Sequence, residues 1–232
     1  MRSSAFLLVC VLVFPAIRAQ GSCWSDTKSD AASDLKSVPH GVEEIPHGIK
    51  RHAKVLIPVA AATLLLIETN ADQKASRQVT SPSLISKSNT ASNIGLYSEF
   101  GTAGALFLAG CHNNTALRGA GFHVLESMGY AVLTTEALKV AFNRSRPDRP
   151  GLLRNDSFWD GGSSFPSGHA AMSWAFAAAM ARQFPHNKWV KIGSYSTAAV
   201  VSGLRFSAKK HYPSDILIGG VEGYAIGHQF GR

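Results

Sequence analysis

Ser163-Ser-Phe-Pro-Ser-Gly-His-Ala-Ala-Met-Ser-Trp-Ala-Phe-Ala-Ala-Ala-Met-Ala181 begins as a turn and ends as a helix. Pro166 sets the turn, and Ser167 has the side chain that suits a helix N-cap. The run over 170–181 is apolar and dominated by Ala, the best helix former, with no strand-like alternation. The open amides of its first turn, around Gly168, form a ready anion site, and glycine lets a ligand approach the backbone closely. His169 then sits in that first turn beside whatever the amides hold. In isolation the same stretch also reads as an ordinary helix start.

Similar apolar stretches recur over residues 55–67, 101–111, 128–142, 192–204 and 216–227, all rich in Ala and Leu or Ile and Val. Polar breaks separate them, and 72–93 and 144–165 carry the Ser, Asn, Pro and Gly of long loops. The predicted class is therefore all-α, a helical bundle. Only 16% of the 232 residues are charged, against about 25% in average globular chains, so much of the sequence must be buried in protein or lipid. The stretches run to 15 residues at most and several hold ionisable groups, so they suit a soluble or peripheral bundle better than spans of about 20 apolar residues. The formal charge of +8 fits nucleic acid, membrane headgroups or phosphorylated small molecules and does not choose among them.

At the N-terminus, Met1-Arg2 precedes ten unbroken apolar residues from Ala5 to Phe14, then Pro15 and a small residue, Ala19. This is the layout of a secretory signal peptide over 1–19. Residues 20–48 read as a polar arm, extended or loosely ordered, and 49–232 as the helical domain. Cys23 and Cys111 are compatible with one disulfide in an oxidising compartment or with two thiols. His40, His47 and His52 are too widely spaced for a metal set, and no clustered acidic constellation suggests one.

Two further clusters carry chemistry. In Lys139-Val-Ala-Phe-Asn-Arg-Ser-Arg146-Pro147, the Lys and the second Arg stand seven residues apart, two turns along one helix face. Pro147 stops the helix and turns Arg146 aside, so the pair makes an anion clamp whose guanidinium fork suits phosphate. In Arg205-Phe-Ser-Ala-Lys-Lys-His211-Tyr-Pro-Ser-Asp215, a carboxylate stands four residues from an imidazole, where it can accept the ring N–H and fix the tautomer.

Lys-x6-Arg-Pro, Pro-Ser-Gly-His and Arg-x5-His-x3-Asp in this order resemble the signature of the type 2 phosphatidic acid phosphatase (PAP2) and vanadium haloperoxidase superfamily. The resemblance covers roughly residues 128–227. One departure is Leu204, where the family usually has Ser before the Arg; here Ser202 lies two residues earlier.

The resemblance implies a helical bundle of that type and a metal-independent phosphatase. His211 corresponds to the nucleophile, His169 to the general acid and Asp215 to the residue that orients His211. Lys139, Arg146, Ser167, Gly168 and Arg205 correspond to the phosphate cradle. No cofactor is implied, and vanadate is expected as an inhibitor. The implied substrate is a phosphorylated small molecule or a lipid phosphate, with peripheral membrane contact and no nucleic acid. A vanadate-dependent haloperoxidase and a non-catalytic phosphate- or lipid-binding protein are the alternatives. The first usually needs a longer chain, and the second needs no nucleophile. Export to the periplasm or medium is expected, and a glycan on Asn143 would crowd the pocket.

Overall fold

The computed structural model describes residues 23, 25–33, 36, 45–112, 114–149 and 158–231. The segment read as a signal peptide lies outside them. Two compact units divide the chain, Met1–Val42 and Glu43–Arg232. In the first, residues 25–33 are helical where composition predicts an extended or loosely ordered arm. The Thr27 hydroxyl donates to the Cys23 carbonyl and the Ser33 hydroxyl to that of Asp30, so polar residues that look loop-like close helical turns locally. Cys23 is disulfide-bonded, as is Cys111 in the second unit.

The second unit holds seven helices among the described residues: α1 Ile45–Glu68, α2 Ala71–Gln78, α3 Pro82–Gly110, α4 Thr115–Phe142, α5 Gly168–Gln183, α6 Lys188–Ser207 and α7 Pro213–Phe230. No strand occurs among the described residues, and the fold is all-α. Each apolar stretch seen in the sequence lies in one of the helices, save that Cys111 caps α3, but α3 and α4 run to 29 and 28 residues. The supposed loop over 72–93 is instead α2 and the first half of α3. Ser81 caps α3 by accepting from the Leu84 amide, with Pro82 at its first position. Ser88 and Ser92 are buried, and the Ser92 hydroxyl donates back to the Asn89 carbonyl. A face of small polar residues there packs inward and so shows no apolar period. Among the described residues no helix is long and apolar enough to cross a membrane.

α5 is the central helix, buried at every position from 170 to 180 except Trp174. Met172, Phe176 and Met180 join Leu96, Val124 and Met128 in the core. Its alanines admit α7 at backbone distance: a methyl added at Gly219, Gly223 or Gly227 would stand 2.5, 1.9 or 2.3 Å from the carbonyl oxygens of Ser167, Ala171 and Ala175. This four-residue register locks the start of α5 to the start of α7, where the Ser167 amide donates to the Asp215 carbonyl at 3.0 Å. The two chemistry-bearing turns are thereby fixed against each other.

Candidate active site

Behind the site lies Arg144, wholly buried and absent from the residues singled out by sequence. Its guanidinium donates to Asp215 Oδ1 at 2.6 Å, Ser214 Oγ at 2.7 Å and Asp72 Oδ2 at 2.9 Å. It also stacks over the Phe158 and Tyr212 rings. Burial disfavours the charge, but Asp215 and Asp72 outweigh it and hold the guanidinium above its usual pKa. Asp72 further accepts from the Ser214 amide and hydroxyl, tying α2 to the first turn of α7.

Asp215 stands third in α7 and accepts from the Tyr212 amide at 2.8 Å, closing the helix N-terminus. It does not take the His211 N–H, as the sequence suggests. His211 Nδ1 lies 4.0 Å from Asp215 Oδ2 but 2.7 Å from the Ser164 carbonyl oxygen. The physical reason is that the carboxylate is already occupied, by Arg144, by the Tyr212 amide and by the Ser164 hydroxyl at 2.5 Å. Ser164 is therefore the link, held by Asp215 through its hydroxyl and holding His211 through its carbonyl. A carbonyl only accepts, so Nδ1 carries the proton and Nε2 keeps its lone pair. His211 is 2% exposed, and burial, reinforced by Arg146, Arg205 and Lys139, holds its pKa well below the ordinary value.

His169, in the first turn of α5, feels the same three cations. Burial first, then Arg205, Lys139 and Arg146, push its pKa down to about 3. Its Nε2 lies 2.9 Å from Asn93 Oδ1 on α3. Three elements thus bring their charges to one spot: Lys139 from α4, Arg146 from the segment that follows it, and Arg205 from the end of α6.

The cations differ in how they are held. Lys139 Nζ pairs with Glu136 at 2.6 Å and lies over Gly168, 3.3 Å from where a Cβ would stand. Arg146 donates to the Ser163 carbonyl at 3.2 Å. Arg205 donates to Asn89 Oδ1 and Ser92 Oγ, each at 3.1 Å. Burial and the neighbouring Arg146 lower its pKa to about 10. Arg146 Nε, Arg205 Nε and Ser167 Oγ are buried with no partner among the described residues. Unsatisfied buried donors on two of the three cations and on Ser167 suit the oxygens of a tetrahedral or trigonal oxyanion.

Lys139, Arg146, Ser167, Gly168, His169, Arg205 and His211 are brought together, with Asp215 behind them. Asp72, Asn89, Ser92, Asn93, Arg144 and Ser164 were missed. Asn89, Ser92 and Asn93 stand at i, i+3 and i+4, a helical face hidden inside a segment read as a loop. Ser202 does not replace the Ser missing at Leu204: its hydroxyl accepts from Trp174 Nε1, and Arg205 is supported from α3 instead. One turn below His169, the Ser173 hydroxyl donates to buried Glu99, whose carboxyl burial pushes up to about 7. No group of three or more His, Cys, Asp or Glu that could hold a metal occurs among the described residues.

Residues 120–230 match the model of the PAP2 superfamily. The chain is 25% identical to the lipid A 1-phosphatase of Porphyromonas gingivalis over 98% of its own length and 50% of that protein, so it spans about half of the curated relative it matches. Among solved structures, it superposes on the transmembrane PAP2-type phosphatidylglycerolphosphate phosphatase of Bacillus subtilis with a TM-score of 0.53 and 24% identity, covering 73% of this chain and 87% of that one. LpxE of Aquifex aeolicus gives 0.49 and 21%, covering 66% and 90%.

Proposed function

Since residues 120–230 match the PAP2 superfamily model, we propose that the chain is a PAP2-type, metal-independent phosphatase acting through a phosphohistidine. The observation that carries this reading is the set of unpartnered buried donors, Arg146 Nε, Arg205 Nε and Ser167 Oγ, beside two neutral imidazoles. The cations attract the phosphoryl group and stabilise the charge spread over its equatorial oxygens. His211 Nε2 attacks phosphorus along the axis opposite the leaving oxygen, forming a P–N bond as the P–O bond breaks. Ser164 keeps the proton on Nδ1, and Asp215 acts through Ser164. His169, protonated once the substrate's anionic charge offsets the cations, gives its proton to the leaving oxygen. It then takes a proton from the water that splits the P–N bond, releasing phosphate and restoring both rings.

The substrate class is a phosphomonoester or lipid (di)phosphate, and the lipid branch has the better support. The Porphyromonas relative is named for a lipid phosphate. Leu133, Val140 and Trp159 are 67%, 81% and 72% exposed on the helix and loop that carry Lys139 and Arg146. Apolar side chains outside and cations inside match a phosphorylated headgroup with acyl chains. The protein accordingly acts as an exported enzyme held against a membrane surface.

The test is phosphate release from a panel of lipid phosphates, polyprenyl diphosphate and soluble esters, with rapid quenching to trap an acid-labile, base-stable phosphoenzyme. His211→Ala should lose at least about a thousandfold in turnover and form no phosphoenzyme. Near-normal activity in that variant overturns the mechanism. Faster turnover of soluble esters than of any lipid overturns the substrate assignment alone.

A further inference from the structure

The Nε2–Oδ1 contact between His169 and Asn93 has chemical content beyond the family signature, because Asn93 lies on α3, outside the matched residues. Asn89, Ser92 and Asn93 turn one face of α3 toward the site. The first two hold Arg205 and the third holds His169. The stripe continues inward through buried Leu96, Glu99 and Ala103, so the register of α3 is fixed by the core and Asn93 arrives at the imidazole pre-positioned. An amide oxygen accepts and does not donate. Facing Nε2, it requires a proton there in both the neutral and the charged ring.

We infer that Asn93 is a positioning residue that pins His169 as its Nε2–H form, leaving Nδ1 as the one atom that exchanges the catalytic proton. This rests on the proposed role of His169 as general acid. In the first half-reaction the imidazolium releases its Nδ1 proton to the leaving oxygen while Nε2–H stays donated to Asn93. In the second, Nδ1 takes a proton from the attacking water. The ring never turns, so acid and base steps run through a single lone pair. Without Asn93, nothing else in the described structure fixes the tautomer, and a neutral ring with its proton on the wrong nitrogen faces the leaving oxygen for part of the time. The charged groups around the ring, Arg205, Lys139 and Arg146, are all cations, and Asn93 is the neutral acceptor that supports its positive form against them.

The experiment compares wild type, Asn93→Leu, Asn93→Asp, His169→Ala and the Leu/Ala double variant. Each is assayed on an aryl phosphate with a good leaving group and an alkyl phosphate with a poor one. Vanadate-induced thermal stabilisation checks that the pocket still forms. Asn93→Leu should lower turnover of the alkyl ester on the order of tenfold to a hundredfold while moving the aryl ester by less than about threefold. It should add nothing to His169→Ala. Asn93→Asp, whose carboxylate favours the imidazolium, should keep alkyl-ester turnover and carry the alkaline limb of its pH profile to higher pH. Nitrogen NMR of His169 should show the Nε2–H form in wild type and a mixture in Asn93→Leu. If His169→Ala is selective for the poor leaving group but Asn93→Leu is not, or if the two losses multiply, the positioning role falls and the general acid stands. If His169→Ala itself shows no such selectivity, both fall. An unchanged ring tautomer in Asn93→Leu also overturns the inference.

Discussion

Lowering the pH should cost this protein stability through His169, and the size of the loss follows from the site. Unfolded, the imidazole titrates near pH 6.5; folded, burial and three cations hold it at about 3. At pH 8 it is neutral in both states and contributes nothing. Between those two values the unfolded chain binds a proton that the native site refuses, so stability falls as pH falls. Going from pH 8 to pH 5, the linkage amounts to about 2 kcal/mol for this one ring, an upper bound because the ring keeps some solvent exposure. His211 pulls in the same direction. Glu99 pulls oppositely: its pKa of about 7 in the fold gives stability at acid pH that is lost as pH rises through it. The total slope therefore mixes terms, and the informative quantity is a difference. Urea unfolding of wild type and His169→Asn at the two pH values should show wild type losing up to about 2 kcal/mol more than the variant. Saturating vanadate should shrink that difference by neutralising the cations. Parallel pH dependences within about 0.5 kcal/mol would refute the picture of an imidazole caged among unneutralised charges.

Under the proposed mechanism orthovanadate should inhibit competitively at about micromolar concentration, since it holds the trigonal-bipyramidal shape that phosphate reaches only in transit. Exhaustive dialysis against EDTA should leave activity unchanged, and loss restored by zinc or magnesium would mean the cradle has been misread. Gly223→Ala, whose new methyl meets a carbonyl at 1.9 Å, should destabilise by about 3 kcal/mol or more in denaturant titration. Gly129→Ala, with open space around it, should instead gain up to about 1 kcal/mol. The protein should leave membranes in a high-salt wash; retention through salt and carbonate, with release only by detergent, would count against peripheral attachment.

The C-terminal half was legible because its chemistry is local. Lys139 and Arg146 share a helix end, Gly168 and His169 share a first turn, and His211 and Asp215 bracket one proline, so short spacings carried the information. What stayed hidden depends on partners distant along the chain. Arg144 stands two residues before Arg146, yet nothing in the sequence tells which guanidinium goes inward; that is decided by Asp72, 72 residues earlier. Asp215 looked like the partner of His211 because i and i+4 are neighbours on a helix, but His211 precedes the helix and its ring turns to Ser164. The first half of α3 was misread as a loop because its buried face is Ser and Asn rather than Leu, an apolar-period test that fails where a helix faces a polar site.

That failure shows how the site is built. The matched segment supplies cations and imidazoles that cannot neutralise one another. Asp72 takes up part of the charge on Arg144, Asn89 and Ser92 receive a guanidinium, and Asn93 receives a ring, all from helices that precede the match. None of the last three is charged. A carboxylate facing Arg205 would satisfy it as fully as Asp72 and Asp215 satisfy Arg144 and, under the proposed function, would compete with the substrate for the same cation. Neutral oxygens hold the guanidinium in place while leaving its charge, and its unpartnered Nε, for an incoming anion. Under the proposed function the division has a purpose: carboxylates where an arginine is structural, amides and hydroxyls where it would bind the phosphate. Asn89→Asp tests this directly. It should stabilise the empty protein against urea by about 1 kcal/mol or more through the new charge-assisted bond, and weaken vanadate binding at least about tenfold. A variant that binds vanadate as tightly as wild type would show that the choice of neutral partners carries no functional weight.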